Sequence, residues 1–431
     1  MNKLLLTLFL VSYSVVVYPS VLEGDTLSLD TLYLQGAEAY GREDYAIAAA
    51  LWKKAAEGGD PMAQYEYALC CYNGEGVQMD MEEAFKWFVQ SSLQGIASAQ
   101  FSAGYCCEHG YGTDVSPTDA FDWYLKAASQ GFTDAECAVG VCYYSGFGVE
   151  LNYVIAIEWF KRAAEKGSVE AQSYIGTCYA NGYGVAQDAD EAVKWYLESA
   201  DNGNVEGIYN LAFCYEQGIG VEQDSWLAMD LYEKAAEQGF CNAQYSLALL
   251  YLDVNSGNDS EVAFEWLNEA ASNGYAEAQY TLGQLYYEGE IVEKDEAKAV
   301  MWFTQAAEQA HSDAQCDLGF CYLTGQGVVC NAKAAILWFM KSAEQDNSRA
   351  QHNIGVCCYE GLGVPQSFEK AVEWFSLAAE QENADALYYL GACYYNGQGV
   401  EKDKSKGIKL LRRARNGGSE EANKALVYLS E

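Results

Sequence analysis

The chain has 431 residues, and its 62 acidic against 25 basic side chains give a formal net charge of −37 at pH 7. Such a surface repels nucleic acid phosphates and anionic lipid headgroups, so both classes of partner are excluded and a basic protein or peptide is favoured. Half of the residues are hydrophobic and 14% are aromatic, a composition that excludes an intrinsically disordered chain.

Residues 1–24 have the pattern of a signal peptide. One positive charge at Lys3 precedes an uncharged, mostly apolar run from Leu4 to Val17, which is short for a bilayer span but typical of a signal-peptide core. We therefore expect export to the periplasm or secretion, with an uncleaved N-terminal anchor as the alternative. No membrane span is expected in the mature chain.

Beyond this segment the chain repeats itself, and every step is 36 residues except one of 35. A tryptophan followed by Phe or Tyr recurs, with a small residue, mostly Ala, three positions before it. A small residue one helical turn from a large one lets two helices approach closely, so we expect the tryptophan to fill the gap between them. This Trp column reads Leu51, Trp87, Trp123, Trp159, Trp195, Leu231, Trp266, Trp302, Trp338, Trp374 and Leu410.

A polar column stands seven residues before the Trp column and holds Asp, Asn or Ser in every repeat. These side chains accept hydrogen bonds from the unpaired backbone N–H groups at a helix start. The column therefore predicts the first turn of a helix, helix B, at Asp44, Asp80, Ser116, Asn152, Asp188, Asp224, Asp259, Asp295, Asn331, Ser367 and Asp403.

A second helix, helix A, is predicted before each helix B. In AEAQYTLGQLYYEG (276–289), Leu282, Gly283 and Tyr286 share one side of a helix, and the glycine predicts close helix contact. Helix A should end at the first glycine of a G-x-G loop, because glycine readily takes the left-handed conformation that closes a helix. A phosphate-binding loop is disfavoured, since no strand precedes the loop and no Lys-Ser/Thr follows it. The Gly column is Gly104, Gly140, Gly176, Gly283, Gly319, Gly355 and Gly391, with Ala in other repeats.

The pattern A-x-x-x-L-G-x-x-Y-x-x-G-x-G-V, followed by D-x-x-x-A-x-x-W-[FY]-x-x-A-A-x-x-G, resembles the Sel1-like repeat, a relative of the tetratricopeptide repeat. The resemblance implies an all-α, right-handed superhelical solenoid of about eleven helix pairs. It also implies an adaptor or scaffold for protein complexes, and secreted bacterial members have been linked to signalling, envelope regulation and host contact. We expect an N-terminal capping repeat at 25–59, the repeat array at 60–418 and a C-terminal capping helix at 419–431.

Two repeats depart from the pattern. The stretch LDVNSGNDS (252–260) lacks the loop and one residue, and Ile291 replaces the second glycine in YYEGEIVEKD. Sequence drift is one explanation. A local change of curvature or a binding loop is the other.

Eight cysteines share one column, four residues before the loop glycine. Leucine replaces cysteine in two repeats, which predicts buried thiols that act as small hydrophobic groups. Cysteine-rich bacterial Sel1 proteins bridge a helix B cysteine to the next helix A; here that helix B column is Ala or Ser, so those bridges cannot form. The column is Cys70, Cys106, Cys142, Cys178, Cys214, Cys321, Cys357 and Cys393.

No catalytic, metal-binding or cofactor-binding residue is predicted. The chain has three histidines and no C-x-x-C, G-x-S-x-G or H-E-x-x-H motif, the patterns typical of metal sites and hydrolases. An excess of carboxylates is usually a solvated surface. An enzyme such as a cell-wall hydrolase is therefore the weakest hypothesis.

The variable positions of helix A carry the candidate binding site. Residues three before, one after and four after the Gly column, here the first, second and third columns, share one stripe. In tetratricopeptide arrays the matching stripe lines the concave surface, and the resemblance implies the same here. Tyrosine offers a flat apolar ring and a polar tip, which suit recognition of a protein or peptide. The predicted site is Tyr65, Phe101, Tyr209, Tyr245, Tyr280, His352 and Tyr388 in the first column, Tyr105 and Phe213 in the second, and Tyr287, Tyr359 and Tyr395 in the third.

Two alternatives to this interpretation stay open. Stacked tyrosines also suit sugars, so a glycan-binding envelope module is the alternative function. The rings could instead fill gaps between neighbouring helices A and have no ligand.

Overall fold

The computed structural model describes residues 27–253, 259–289 and 291–430, which form helices and no strand. The predicted all-α class is confirmed. The predicted signal peptide (1–24) lies outside the described residues, as do 254–258 and 290 in the irregular repeats. The helices are α1 (Leu29–Gly41), α2 (Tyr45–Glu57), α3 (Pro61–Asn73), α4 (Met81–Leu93), α5 (Ala97–His109), α6 (Pro117–Ser129), α7 (Thr133–Ser145), α8 (Tyr153–Glu165), α9 (Val169–Asn181), α10 (Ala189–Asp201), α11 (Val205–Gln217), α12 (Ser225–Ala236), α13 (Cys241–Asp253), α14 (Asp259–Ser272), α15 (Ala276–Glu288), α16 (Glu296–Glu308), α17 (Ser312–Thr324), α18 (Ala332–Ala343), α19 (Ser348–Glu360), α20 (Phe368–Glu380), α21 (Ala384–Asn396), α22 (Lys404–Asn416) and α23 (Glu420–Ser430).

The odd-numbered helices are the predicted helices A, and the even-numbered helices are the predicted helices B. The chain divides into two compact units: residues 1–171 with 183–185, and residues 172–182 with 186–431. Each helix packs against the helices before and after it in sequence, from α1 to α8 in the first unit and from α10 to α23 in the second. Such nearest-neighbour packing is the hallmark of a helical repeat array.

The prediction that the Trp column fills the gap between helices is wrong. Trp159 and Trp195 are only half-buried, and it is the next residue that enters the seam between helices A and B. Phe160 is fully buried, and a Cβ atom added to Gly140 would lie 2.5 Å from its ring. The small residue Ala156 and the large one are four apart, a spacing that keeps them closer to the same side of a helix than a spacing of three. The seam residues, at most 5% exposed, are Trp52, Phe88, Tyr124, Phe160, Tyr196, Tyr232, Leu267, Phe303, Phe339, Phe375 and Leu411.

Trp302 and Leu410 are the buried exceptions in the Trp column, at 9% and 7% exposed. Cations cover other indoles of that column. The Lys126 ammonium lies 3.8 Å from the Trp123 ring centroid, and the Lys341 ammonium lies 4.0 Å from that of Trp338. The half-exposed indoles are thus stabilised by cation–π contact on the surface.

The predicted loop chemistry is confirmed. Gly110 ends α5 in the left-handed conformation, with φ of 74°. The second loop position requires glycine for another reason: a Cβ atom on Gly112 would overlap the carbonyl group of Met81, the first residue of α4. Ile291 occupies the equivalent position in the irregular repeat and is 37% exposed. Because isoleucine has a Cβ atom, that loop cannot approach the preceding helix B in the same way.

The predicted helix B caps are also confirmed, with one exception. Asp188 accepts a hydrogen bond from the backbone N–H of Glu191 at 3.0 Å, and Asp403 from that of Lys406 at 2.8 Å. Asp44 makes no such bond and instead pairs with Arg42 at 3.4 Å. The side chain of Asp259 lies outside the described residues. Side-chain caps also form at Asp80, Ser116, Asn152, Asp224, Asp295, Asn331 and Ser367.

The cysteine column is buried, as predicted. Burial raises the pKa of the Cys106 and Cys321 thiols to about 12 and that of Cys393 to about 11. The thiolate is the reactive form of cysteine. These thiols therefore act as small apolar groups in the seam.

A ladder of glutamines joins successive repeats and was not predicted from the sequence. Gln315 donates a hydrogen bond to the Ala307 carbonyl at 3.0 Å, and its own oxygen accepts one from Gln345 of the following helix B at 2.9 Å. In one repeat the pair is ionic: Glu136 lies 2.7 Å from Lys166. Both partners differ from glutamine there, so the buried Glu136 carboxylate has a charged partner.

No helix within the described ranges is long and apolar enough to cross a bilayer.

Candidate functional site on the face of helix A

The predicted first-column residues are half-buried and pack against other rings. The ring of Phe101 lies 5.4 Å from that of Tyr124 on helix B and 5.5 Å from that of Phe132, where the next helix A begins. Tyr280 contacts His311 in the same way, at 4.5 Å. The remaining pairs are Tyr65 with Phe88 at 5.9 Å, Tyr209 with Phe240 at 5.3 Å, Tyr245 with Tyr275 at 5.5 Å, His352 with Phe375 at 5.8 Å, and Tyr388 with Tyr389 at 5.3 Å.

The residue that starts the next helix A varies with the first column. In four repeats a ring follows a ring: Phe101 with Phe132, Tyr209 with Phe240, Tyr245 with Tyr275, and Tyr280 with His311. Tyr65, His352 and Tyr388 are instead followed by Ile96, Asn383 and Ser419. Polar helix caps follow small residues: Cys137 with Ser168, Ser173 with Asn204, and Cys316 with Asn347. This coordinated change supports a packing role for the first column.

The third column reaches the loop of the following repeat. The Tyr287 hydroxyl donates to Gln326 at 2.7 Å, and the Tyr359 hydroxyl donates to Gln398 at 3.1 Å. Tyr395 lies under a lysine ammonium 5.1 Å from its ring centroid. The third column therefore ties neighbouring repeats together.

The third column also varies with the buried ring of the seam. Where it holds glutamate, the ring is a tyrosine whose hydroxyl donates to that carboxylate: Tyr124 to Glu108 at 2.5 Å and Tyr232 to Glu216 at 2.6 Å. In four of the repeats where it holds tyrosine, the ring is phenylalanine: Tyr72 with Phe88, Tyr144 with Phe160, Tyr287 with Phe303, and Tyr359 with Phe375. A buried hydroxyl occurs here only beside an acceptor, as the cost of an unpaired polar group requires.

The second column is the most accessible of the three. Phe213 is 43% exposed and Phe320 39% exposed. Tyr105 is half-buried, with its ring 4.2 Å from that of His109. Large exposed apolar side chains that recur at one register position can contact a partner directly.

An acidic column, which the sequence analysis missed, lies beside the second column. It stands six residues before the Gly column and therefore seven residues before the second column. Seven residues are about two helical turns, so the two columns share one face of helix A. Its one basic member is Arg349. Its acidic members are Asp134 and Glu170 in the first unit, and Glu206, Glu277, Asp313 and Asp385 in the second.

The second unit has a cavity of about 270 Å³ on this face, lined by residues of α15, α16, α17 and α19. It contains predicted site residue Tyr287, together with Gln284, Glu288, Asp317 and Arg349, which were not predicted. The signal in the sequence that could have predicted this cavity is the single arginine in a mostly acidic column. The structure does not bring the other predicted residues into the cavity.

The described residues contain no cluster of His, Cys, Asp and Glu arranged to hold a metal ion. What the helix A face offers chemically is a run of carboxylates beside exposed rings. Such a surface can bind a partner.

Packed helix pairs with a 36-residue period define a helical repeat protein. The Sel1 repeat family model matches eleven consecutive segments: 27–60, 61–96, 97–132, 133–168, 169–204, 205–240, 241–275, 276–311, 312–347, 348–383 and 384–419. The chain belongs to the Sel1 repeat family. Proteins of this family generally act as non-catalytic scaffolds for protein interactions.

Two solved structures are similar over long stretches. One is a protective antigen of uropathogenic Escherichia coli with an SLR fold, 32% identical over 92% of this chain and 87% of that chain, with a TM-score of 0.59. The other is a Sel1 repeat protein of Oxalobacter formigenes, 32% identical over 56% of this chain and 96% of that chain, with a TM-score of 0.53. No curated protein matches the sequence.

Proposed function

We propose that this protein is a non-catalytic scaffold that binds a basic protein or peptide segment on the helix A face. The observation that carries the proposal is the acidic column beside the exposed second column. In the second unit, Glu206 precedes the exposed ring of Phe213 by seven residues, and Asp313 precedes that of Phe320 by the same interval. An extended partner could therefore meet an acid and an apolar contact on each of these helices.

The rest of the face supports the same assignment by elimination. Most first- and third-column rings are already engaged with other rings or with loop glutamines. Removing them would damage packing as well as recognition. The second and acidic columns keep side chains on the surface, so they are the part of the predicted site that a partner can reach.

Selection of a random displayed peptide library on the purified protein tests the proposal. Sequences rich in lysine and arginine should be enriched, and their binding should weaken as salt screens the carboxylates. Phe320→Ala and Phe213→Ala should each weaken binding about tenfold or more, since exposed aromatic anchors often dominate interface energy.

The matched control is Trp226→Ala, because Trp226 is a large side chain on a helix B and is 75% exposed. This variant should bind the selected peptides as the unmodified protein does. Selection of neutral or acidic peptides, or equal losses in all three variants, contradicts the proposal. Binding to a glycan array that is lost in Tyr105→Ala would favour the glycan-binding alternative.

We also propose that the protein is exported. The support is the apolar run from Leu4 to Val17 behind a single lysine. Cell fractionation followed by N-terminal sequencing of the recovered chain tests this. A chain that stays in the cytoplasm with Met1 in place contradicts it.

A further inference from the structure

The cavity of the second unit combines aromatic walls with carboxylates. Tyr287 and Phe320 contribute ring surface from α15 and α17, and Phe303 lies at its base in the seam. Glu288 and Asp317 contribute carboxylates. At about 270 Å³, the cavity is slightly smaller than the usual range for small-molecule sites, which starts at ~300 Å³. It therefore suits one long side chain of a bound segment.

A hydrogen-bonded network holds one wall of the cavity in place. Gln284 donates to the Tyr280 hydroxyl at 2.9 Å, and that hydroxyl donates to Asp317 at 2.9 Å. Arg349 bonds the other oxygen of Asp317 and lies 3.6 Å from Asp313. Side chains fixed by several partners need little reordering when a ligand arrives.

The charges of this wall favour a cation. Two carboxylates pair with the Arg349 guanidinium, so its positive charge is already compensated. Glu288 is exposed at the end of α15 and adds a further negative charge. An anionic ligand would have to compete with Asp313 and Asp317 for Arg349, whereas a cation meets the Glu288 carboxylate and aromatic rings. One of these rings, Tyr287, already has the Lys294 ammonium 5.5 Å from its centroid.

We propose that this cavity takes the side chain of one lysine or arginine from the bound segment. The alkyl part of the side chain lies against Tyr287 and Phe320, and the charged end pairs with Glu288. Arg349 positions Asp317 and does not contact the ligand's charge. This inference rests on the proposed function, because it names the residue of the partner that the helix A face recognises.

The test uses a peptide obtained by the selection described above and replaces each of its arginines by citrulline and each lysine by norleucine, in turn. Replacement at one position of the peptide should weaken its binding about tenfold or more, the loss expected when a hydrogen bond to a charged group is removed. Glu288→Gln should abolish the difference between the charged and neutral peptides at that position. The matched control is Glu360→Gln, which changes the equivalent exposed residue of α19 outside the cavity and should leave the difference intact.

A second probe separates this inference from the proposed function. N-acetyl-arginine amide should give a saturation-transfer NMR signal with the full chain that Glu288→Gln removes and Glu360→Gln retains. If basic peptides bind but tolerate every neutral replacement, the cavity assignment is wrong and the proposed function stands. If no basic peptide binds, the proposed function fails, and a missing arginine amide signal would then overturn the cavity assignment as well.

Discussion

The seam between helices A and B and the exposed face of helix A follow different rules of variation. In the seam, a change in one residue accompanies a change in its neighbour: tyrosine replaces phenylalanine at Tyr124 and Tyr232, where a glutamate accepts a hydrogen bond from the tyrosine hydroxyl. On the face, Phe213, Leu249 and Phe320 occupy equivalent positions with 39–43% exposure, and they need no partner within the chain. Coordinated variation marks packing, and variation without a partner inside the chain marks the surface on which a ligand can be recognised.

The largest expected effect is on stability, and it distinguishes the buried ring of the seam from the tryptophan that precedes it in sequence. Phe375→Ala should lower the free energy of unfolding by about 3–5 kcal/mol, because a fully buried ring is removed and leaves a cavity beside Gly355. Trp374→Ala should cost about 1 kcal/mol, since Trp374 is only half-buried. Urea unfolding followed by helical circular dichroism measures both.

Hydrogen exchange adds a local check on the same pair of variants. In a nearly one-dimensional array, the loss at Phe375 should appear first as faster exchange in the repeats 312–347 and 384–419 on either side. A larger loss for Trp374→Ala than for Phe375→Ala would contradict the assignment of the seam.

The sequence was sufficient for the helix pairs, the loop glycines and the caps, because each depends on residues close together in one repeat. It misplaced the seam ring by one position, since Trp and the following aromatic residue are about equally regular and lie three and four residues after the same alanine. The acidic column and the network around Arg349 were not predicted from the sequence, for another reason. Arg349 pairs with Asp313 and Asp317 of the preceding repeat. The pattern within a single column does not show which residues of adjacent repeats are in contact.

A smaller effect is expected where the glutamine ladder is incomplete. The side-chain oxygen of Gln244 is buried without a hydrogen-bond partner among the described residues. Asn273 stands where Gln309 and Gln345 donate to the ladder at 2.8 and 2.9 Å, and it is one methylene shorter than glutamine. Asn273→Gln should raise the free energy of unfolding by about 1 kcal/mol by supplying the missing donor.

The control for the ladder is Asn202→Gln. Asn202 already donates to Gln172 at 3.3 Å, so lengthening it should change stability by less. Differential scanning calorimetry of both variants compares them directly. An equal gain at the two positions would show that glutamine is simply the better residue at the end of helix B.

A further effect should appear on α3 and should depend on pH. Glu66 lies on α3 and shares a small cavity with Trp52 and Leu69, and burial raises the pKa of its carboxyl group from 4.5 to about 7. The folded chain then holds a proton that the unfolded chain releases between these two values, so the contribution of Glu66 to stability falls as the pH rises through this window. Glu66→Gln keeps the shape and removes the titration. It should raise the melting temperature relative to the unmodified protein at about pH 8 and leave it unchanged at about pH 4. An increase of equal size at both pH values would mean that the amide improves packing or hydrogen bonding, and that the desolvated charge of Glu66 does not limit stability.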